Sequence, residues 1–147
     1  NLYGPDDNFD PQNSHVIGAL LRKFHLGKVN KSKVVSCWGT GTAMREFLHT
    51  YDVVSACIFL MKTYDEVDII NVGSGKDLSI KALTELVIDI TGYKGGIEWD
   101  SSKPDGMPRK VLNIDRILKL GWKPKIGLRE GLTAIYAMLV ETKMFDD

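Results

Sequence analysis

Every run in this sequence that can form a β-strand is short and is bounded by glycine or by a polar loop. Val34-Val-Ser-Cys-Trp38 stops at Gly39, Ile69-Ile-Asn-Val72 stops at Gly73, and Ile97-Glu-Trp99 opens after Gly95-Gly96 and runs into a polar stretch. Between them lie longer segments with apolar residues at helical spacing. Helices therefore outnumber strands, and the pattern predicts a mixed α/β lobe, not a complete doubly wound sheet.

The helical segments can be bounded from their end signals. Residues 1–13 are rich in Gly, Pro, Asp and Asn and read as a loop. Asn13 or Ser14 is the expected cap of a helix through about Leu26, with Val16, Ile17, Leu20, Leu21 and Phe24 on one face and Gly27 as its stop. Asp52 is the expected cap of an apolar helix from Val53 to Met61, apolar enough to be buried on most sides. Ser79 opens a helix to Thr91 with Ile80, Leu83, Val87 and Ile90 inward, and Gly92 suits its C-terminal end. Ile114 to Leu120 forms a short helix ended by Gly121. A last helix runs from Leu128 to about Lys143 on Leu132, Ile135, Tyr136 and Leu139.

Composition narrows the class. The 147 residues suffice for one domain with a real core, and 44% hydrophobic with 26% charged residues is the balance of an ordinary globular chain. Nineteen acids cancel nineteen bases, so no overall basic character argues for nucleic acid. No apolar run of about 18 residues predicts a membrane span, and no leader is visible. Cys37 and Cys57 both sit among apolar neighbours and read as buried, reduced thiols, which makes the cytosol the expected compartment. Asn1 leads straight into Leu-Tyr-Gly-Pro5, a strand end entering a turn, so the chain is expected to begin inside a larger protein.

Three stretches could carry chemistry. Asn1-Leu-Tyr-Gly-Pro5 puts a polar residue and a tight turn at a strand end, where open α/β folds bind ligands, although the pentapeptide reads equally as a plain turn. His15 stands in the first turn of a helix, where a neutral imidazole can give or take a proton; a lone histidine is more often structural. Trp38-Gly-Thr-Gly-Thr42, followed by Arg45, combines a flat aromatic face with a fork-shaped donor suited to a diphosphate. On spacing alone Arg45 serves as well in a salt bridge to Glu46 or Asp52. Gly39-Thr-Gly41 is not a P-loop, because it lacks the Gly-Lys-Ser/Thr ending. The third stretch, Ser101 to Lys110, is a loop stiffened by two prolines and a glycine. It carries Lys103, Asp105, Arg109 and Lys110, and reads either as a ligand loop or as solvated surface.

Taken together, several motifs resemble one family. Asn1-Leu-Tyr-Gly-Pro5, Ser14-His-Val-Ile17, Trp38-Gly-Thr-Gly-Thr42, Met44-Arg-Glu-Phe-Leu-His49, Ile70-Asn-Val-Gly73 and Ser102-Lys-Pro-Asp-Gly106 occur in the order and rough spacing of the GDP-L-fucose synthases, which are extended short-chain dehydrogenases/reductases. Arg-Glu-Phe and Asn-Val-Gly-Ser-Gly are shared across nucleotide-sugar epimerases; the Ser-His-Val-Ile helix start and the Lys-Pro-Asp-Gly loop are more specific. The resemblance covers essentially the whole chain but only about the second half of the family's length. It implies an α/β C-terminal substrate-binding lobe spanning residues 1–147, with the N-terminal Rossmann half absent and residues 1–13 matching the loop that leaves the Rossmann sheet.

The resemblance also implies roles. Asn1 and Leu2 match a loop that meets NADP(H). His15 matches an acid in the epimerisations that lies near the nicotinamide. Trp38 and Arg45 match residues holding a GDP-sugar, and Asp105 matches a residue of the substrate loop. Lys23 stands where bacterial relatives tend to have arginine, keeping the charge without the fork. Gly18 and Ala43 stand where relatives often have proline, which implies altered loop stiffness and no lost chemistry. No metal ligand is implied, and a homodimer is implied at full length. The family's dinucleotide fingerprint, Gly-x-x-Gly-x-x-Gly, does not occur here, and no tyrosine has a lysine four residues on. The expectation is a parent that makes GDP-L-fucose from GDP-4-keto-6-deoxy-D-mannose, with this part alone inactive. The alternatives are another nucleotide-sugar epimerase or dehydratase of the superfamily, or a non-catalytic lobe that binds a nucleotide sugar or a partner.

Overall fold

The computed structural model describes residues 1–10 and 13–145. In chain order the elements are β1 (Leu2–Tyr3), α1 (Val16–Val29), β2 (Val34–Trp38), β3 (Met44–Glu46), β4 (Leu48–His49), α2 (Thr50–Thr63), β5 (Asp77–Ser79), α3 (Ile80–Thr91), β6 (Gly96–Asp100), β7 (Arg109–Lys110), α4 (Asp115–Leu120) and α5 (Leu128–Glu141). The strands make three small sheets. β1 pairs with β4 in parallel, β2 pairs with β6 in parallel, and β3 lies between antiparallel β5 and parallel β7. Parallel neighbours far apart in sequence need crossovers, and helices supply them.

The core lies where α1 packs on α3 and α3 on α5. Leu21, Phe24, Leu83, Val87, Leu132 and Leu139 are fully buried there. Each such side chain stabilises the fold by about 1.5–3 kcal/mol relative to exposure. A second, smaller cluster joins Leu48 and Ala56 to Ile114, Ile117 and Trp122, beneath α2 and α4. The helix α3 follows its sequence signals closely: Ser79 Oγ accepts from the Ala82 amide at 3.0 Å, and Gly92 closes the helix at φ 73°.

Several expectations are corrected. The N-cap of α1 is His15, with no side-chain cap bond, and not Asn13 or Ser14; Asn13 donates instead to the Asp10 carboxylate. Gly27 does not stop α1, which runs on to Val29. A Cβ at Gly27 would lie 2.7 Å from Val35 Cγ2 and 3.1 Å from Tyr93 Cε2, so glycine is there to let the helix approach β2. Gly18 lies in the first turn of α1, not in a loop. His49, not Asp52, caps α2 by accepting from the Tyr51 amide; Asp52 lies in the first turn and binds the Lys125 and Ile126 amides. Nor is α2 buried on most sides: only Asp52 and Ala56 are buried, and Cys57 is exposed, while Cys37 is buried as expected. Nothing among the described residues covers its outer face. Residues 69–72 form no strand; just beyond them Ser74 and Gly75 give their amides to the Glu46 carboxylate. No helix among the described residues is long and apolar enough to cross a membrane.

Candidate functional site

Two groups of polar residues gather at different places. The first lies in a cleft of about 840 Å³ lined by Asn1, Leu2, Asp7, His15, Tyr51 and Val54, among others. The pairing of β1 with β4 brings the chain start to the foot of α2, and α1 opens across from it. Asn1 is fixed there by its Nδ2 donating to Glu46 O at 2.9 Å and by its own carbonyl accepting from the Leu48 amide. His15 is exposed at the cleft wall with its ring free of the cap role. Asp7 Oδ1 accepts from the Asn8 amide, while its Oδ2 is buried with no hydrogen-bond partner.

Tyr3 also lines this cleft, but its phenol faces the core. It is wedged edge-on against His49 and is within reach of α5 at Gly131. Burial, helped by the nearby Asp52 and Glu130 carboxylates, pushes its hydroxyl up to about 12. Buried against His49 and α5, Tyr3 is a packing residue.

The second group gathers Lys23, Trp38, Arg45 and Asp105 around the C-terminal ends of β2 and β6. The Trp38 ring is 68% exposed, with Lys23 Nζ and Lys103 Nζ each 5.7 Å from its centroid. Lys23 also donates to Ser36 O at 3.1 Å. Asp105 is a latch: Thr40 gives its amide to Oδ1 at 2.7 Å and its hydroxyl to Oδ2 at 2.6 Å, joining the glycine turn after β2 to the loop after β6. Those two bonds, with the Thr40 hydroxyl first, hold the Asp105 carboxyl below the usual carboxylate range. Gly39 is required beside it, at φ 77°, because any Cβ would overlap Asp105 Oδ1.

Arg45 is set by β3. Its Nη1 donates to Met44 O at 2.8 Å and its Nη2 reaches Asp105 O at 3.4 Å. The salt-bridge reading does not hold, because both carboxylates it invoked are engaged elsewhere. Glu46 accepts the amides of Ser74, Gly75 and Leu112, and Asp52 accepts those of Lys125 and Ile126. The guanidinium forms no ion pair among the described residues, although its charge helps to hold the neighbouring Asp105 carboxyl low. Glu46 and Asp52 are the residues whose part the sequence reading missed. The signal was partial: each acid is followed by apolar residues, Phe47-Leu48 and Val53-Val54, and a buried acid is stable only if hydrogen-bonded. Among the described residues no cluster of His, Cys, Asp and Glu could hold a metal ion.

A model of the NAD dependent epimerase/dehydratase family matches residues 1–73. GDP-L-fucose synthase 1 of Arabidopsis thaliana is 49% identical over 136 residues, which cover 92% of this chain and 42% of that protein. GDP-L-fucose synthase of Escherichia coli (strain K12) is 45% identical over 152 residues, covering 97% of this chain and 47% of that one. Among solved structures, a GDP-mannoheptose C4 reductase from Campylobacter jejuni with NADP bound superposes with a TM-score of 0.85 at 31% identity, covering 95% of this chain and 51% of its own. This chain therefore spans about half the length of the relatives it matches.

Proposed function

We propose that this chain is a member of the NAD dependent epimerase/dehydratase family and, within it, the substrate-holding lobe of a GDP-L-fucose synthase. In this reading the whole enzyme epimerises C3 and C5 of GDP-4-keto-6-deoxy-D-mannose and reduces its C4 ketone. The observation that carries the reading is the gathering of Lys23, Trp38, Arg45 and Asp105, which lie far apart in sequence, around one exposed indole and one guanidinium that forms no ion pair among the described residues. A flat ring face suits a base or sugar, and a free fork suits a diphosphate.

The first cleft fits a nicotinamide cofactor. Leu2, Val16 and Val54 give it apolar walls, and Asp7 Oδ2 is an unpartnered acceptor lining it, matched in kind to a carboxamide donor. Asn1, Leu2 and His15 would hold NADP(H) there, and when bound it supplies the hydride for the C4 reduction. The C4 ketone acidifies the C–H bonds at C3 and C5, so epimerisation needs only a base on one face and an acid on the other. His15 returns a proton to the ring carbon from its own face. Trp38 and Arg45 hold the nucleotide end so that the sugar ring reaches that imidazole, and Asp105 keeps the glycine turn in place beneath them.

The test uses the full-length protein with His15→Gln, which keeps a hydrogen-bonding side chain at the helix start. Exchange of the substrate C3 and C5 hydrogens with deuterated water should slow by about 10²–10⁴-fold, while GDP binding survives. Exchange of both hydrogens at the wild-type rate would remove His15 from the mechanism.

A further inference from the structure

A second concave site lies at the opposite end of the β2–β6 ribbon. It measures about 560 Å³ and is lined by Lys28, Lys31, Lys33 and Lys94 over a floor of glycines that includes Gly92, Gly95 and Gly96, with no acidic side chain in its lining. None of the four lysines forms an ion pair among the described residues, where all four ion pairs belong to arginines. In a chain of net charge zero, such a concentration of one sign needs an explanation.

Helix termini supply part of it. α1 ends at Val29 and α3 at Thr91, so two negative helix ends converge here, and Lys28 Nζ would lie 3.7 Å from a Cβ at Gly92. Each end is worth about half an elementary charge, so together they offset about one lysine of the four. A surplus of about three positive charges remains in one concavity. The nearest acids along the chain do not reduce it. Asp89 is bound to Arg129, and Glu98 lies further along β6 and does not line the site. The backbone beneath is held rigid: Lys31 sits at φ 52°, with its amide on Lys28 O and the next amide on Gly27 O, and the Tyr93 hydroxyl donates to Ser32 O and Gly96 O.

We propose that this lysine-lined cavity is an anion site for a diphosphate group, separate from the Trp38 and Arg45 cluster. Lysine acts as a point charge on phosphate and does not select geometry as arginine does. The only aromatic residue in the lining, Tyr93, is buried, so no platform is available for a base and the ligand is recognised by its charge alone. Gly92 and Gly96 give their amides to Ile88 O and Lys33 O, so the attraction comes from the lysine charges and the glycines only leave room for the anion. β2 spans the two sites, with Lys33 just before its first residue and Trp38 as its last. At about 3.3 Å per residue the ends are about 13 Å apart, too far for one diphosphate to touch both. The inference does not depend on the catalytic reading above.

The experiment is a titration of ¹⁵N-labelled protein with sodium pyrophosphate at constant ionic strength, followed by amide shifts. The amides of Gly92, Gly95 and Gly96 should shift saturably. The triple variant Lys31→Gln, Lys33→Gln, Lys94→Gln should bind at least about tenfold more weakly at these glycines, and Lys119→Gln, on an exposed face of α4, should bind as the wild type does. All of these side chains are exposed, so folding is not at risk. Orthophosphate and GDP are run in parallel. Orthophosphate binding as tightly as pyrophosphate, tighter binding of GDP than of pyrophosphate at these glycines, or unchanged binding by the triple variant would each overturn the proposal. Shifts confined to Trp38 and Arg45 would overturn it as well.

Discussion

Arg45→Lys separates the geometry of the guanidinium from its charge. Two donors of Arg45 are committed to carbonyls, Met44 O and Asp105 O, which leaves roughly three of its five N–H groups for a ligand. A lysine ammonium on the same strand keeps the charge but cannot grip two phosphate oxygens in one plane. The loss is therefore one charge-assisted hydrogen bond, about 1–3 kcal/mol, or about 5- to 150-fold in the dissociation constant for GDP. Stability should fall far less. The bond to Asp105 O is long at 3.4 Å and the one to Met44 O is an ordinary neutral-acceptor bond, so together they contribute at most about 1.5 kcal/mol. Isothermal titration with GDP gives the first quantity and a urea titration gives the second. NADPH affinity, measured on the full-length protein, should hardly move, because Arg45 does not line the cleft of Asn1, Leu2 and His15. If GDP binds with wild-type affinity, or if GDP and NADPH weaken equally, Arg45 is a structural residue and the phosphate role is wrong.

Two further perturbations test the frame around the sites. Gly27→Ala gains about 1 kcal/mol of helix propensity but forces a Cβ to 2.7 Å from Val35 Cγ2, an overpacking that costs about 1–3 kcal/mol, so the urea midpoint should fall; a midpoint that rises would mean that the approach of α1 to β2 does not require glycine. The Asp105 latch should depend on pH. Its carboxyl sits below the value it has when unfolded, so its contribution is complete above about pH 4 and disappears as pH falls through the native value. The protection factor of the Thr40 amide, its exchange rate divided into the intrinsic rate at the same pH, should therefore fall in acid for the wild type, while in Asp105→Ala it should already be low at neutral pH and change little on acidification. An equally protected Thr40 in that variant would show that the latch does not hold the turn.

How far the sequence could be read depended on what fixed each element. α3 and α5 were legible because each carries a continuous apolar stripe, and α3 adds end signals that act locally, the Ser79 cap and the left-handed Gly92. β3, β4, β5 and β7 were not legible: they are two or three residues long, too short to show any alternation, and exist because distant partners pair with them. The site was legible in its residue types, since glycine and proline punctuation marked both loops. The bond between Thr40 and Asp105 was not, because it joins residues 65 apart in the chain and only tertiary structure brings them together. α2 shows the deeper limit. Its apolar residues were read as one buried set, but they form two stripes. Val53, Ala56 and Leu60 pack on the cluster around Trp122, while Tyr51, Val54, Ile58 and Met61 follow helical spacing on an exposed face. Periodicity records that a face is apolar, and it cannot record which polypeptide covers it. The outer stripe begins at Tyr51 and Val54, which also line the cleft. On the reading proposed above, the rest of the enzyme would therefore cover the stripe and complete the cleft in one contact, which would explain why α2 is apolar on both faces while this lobe buries only one.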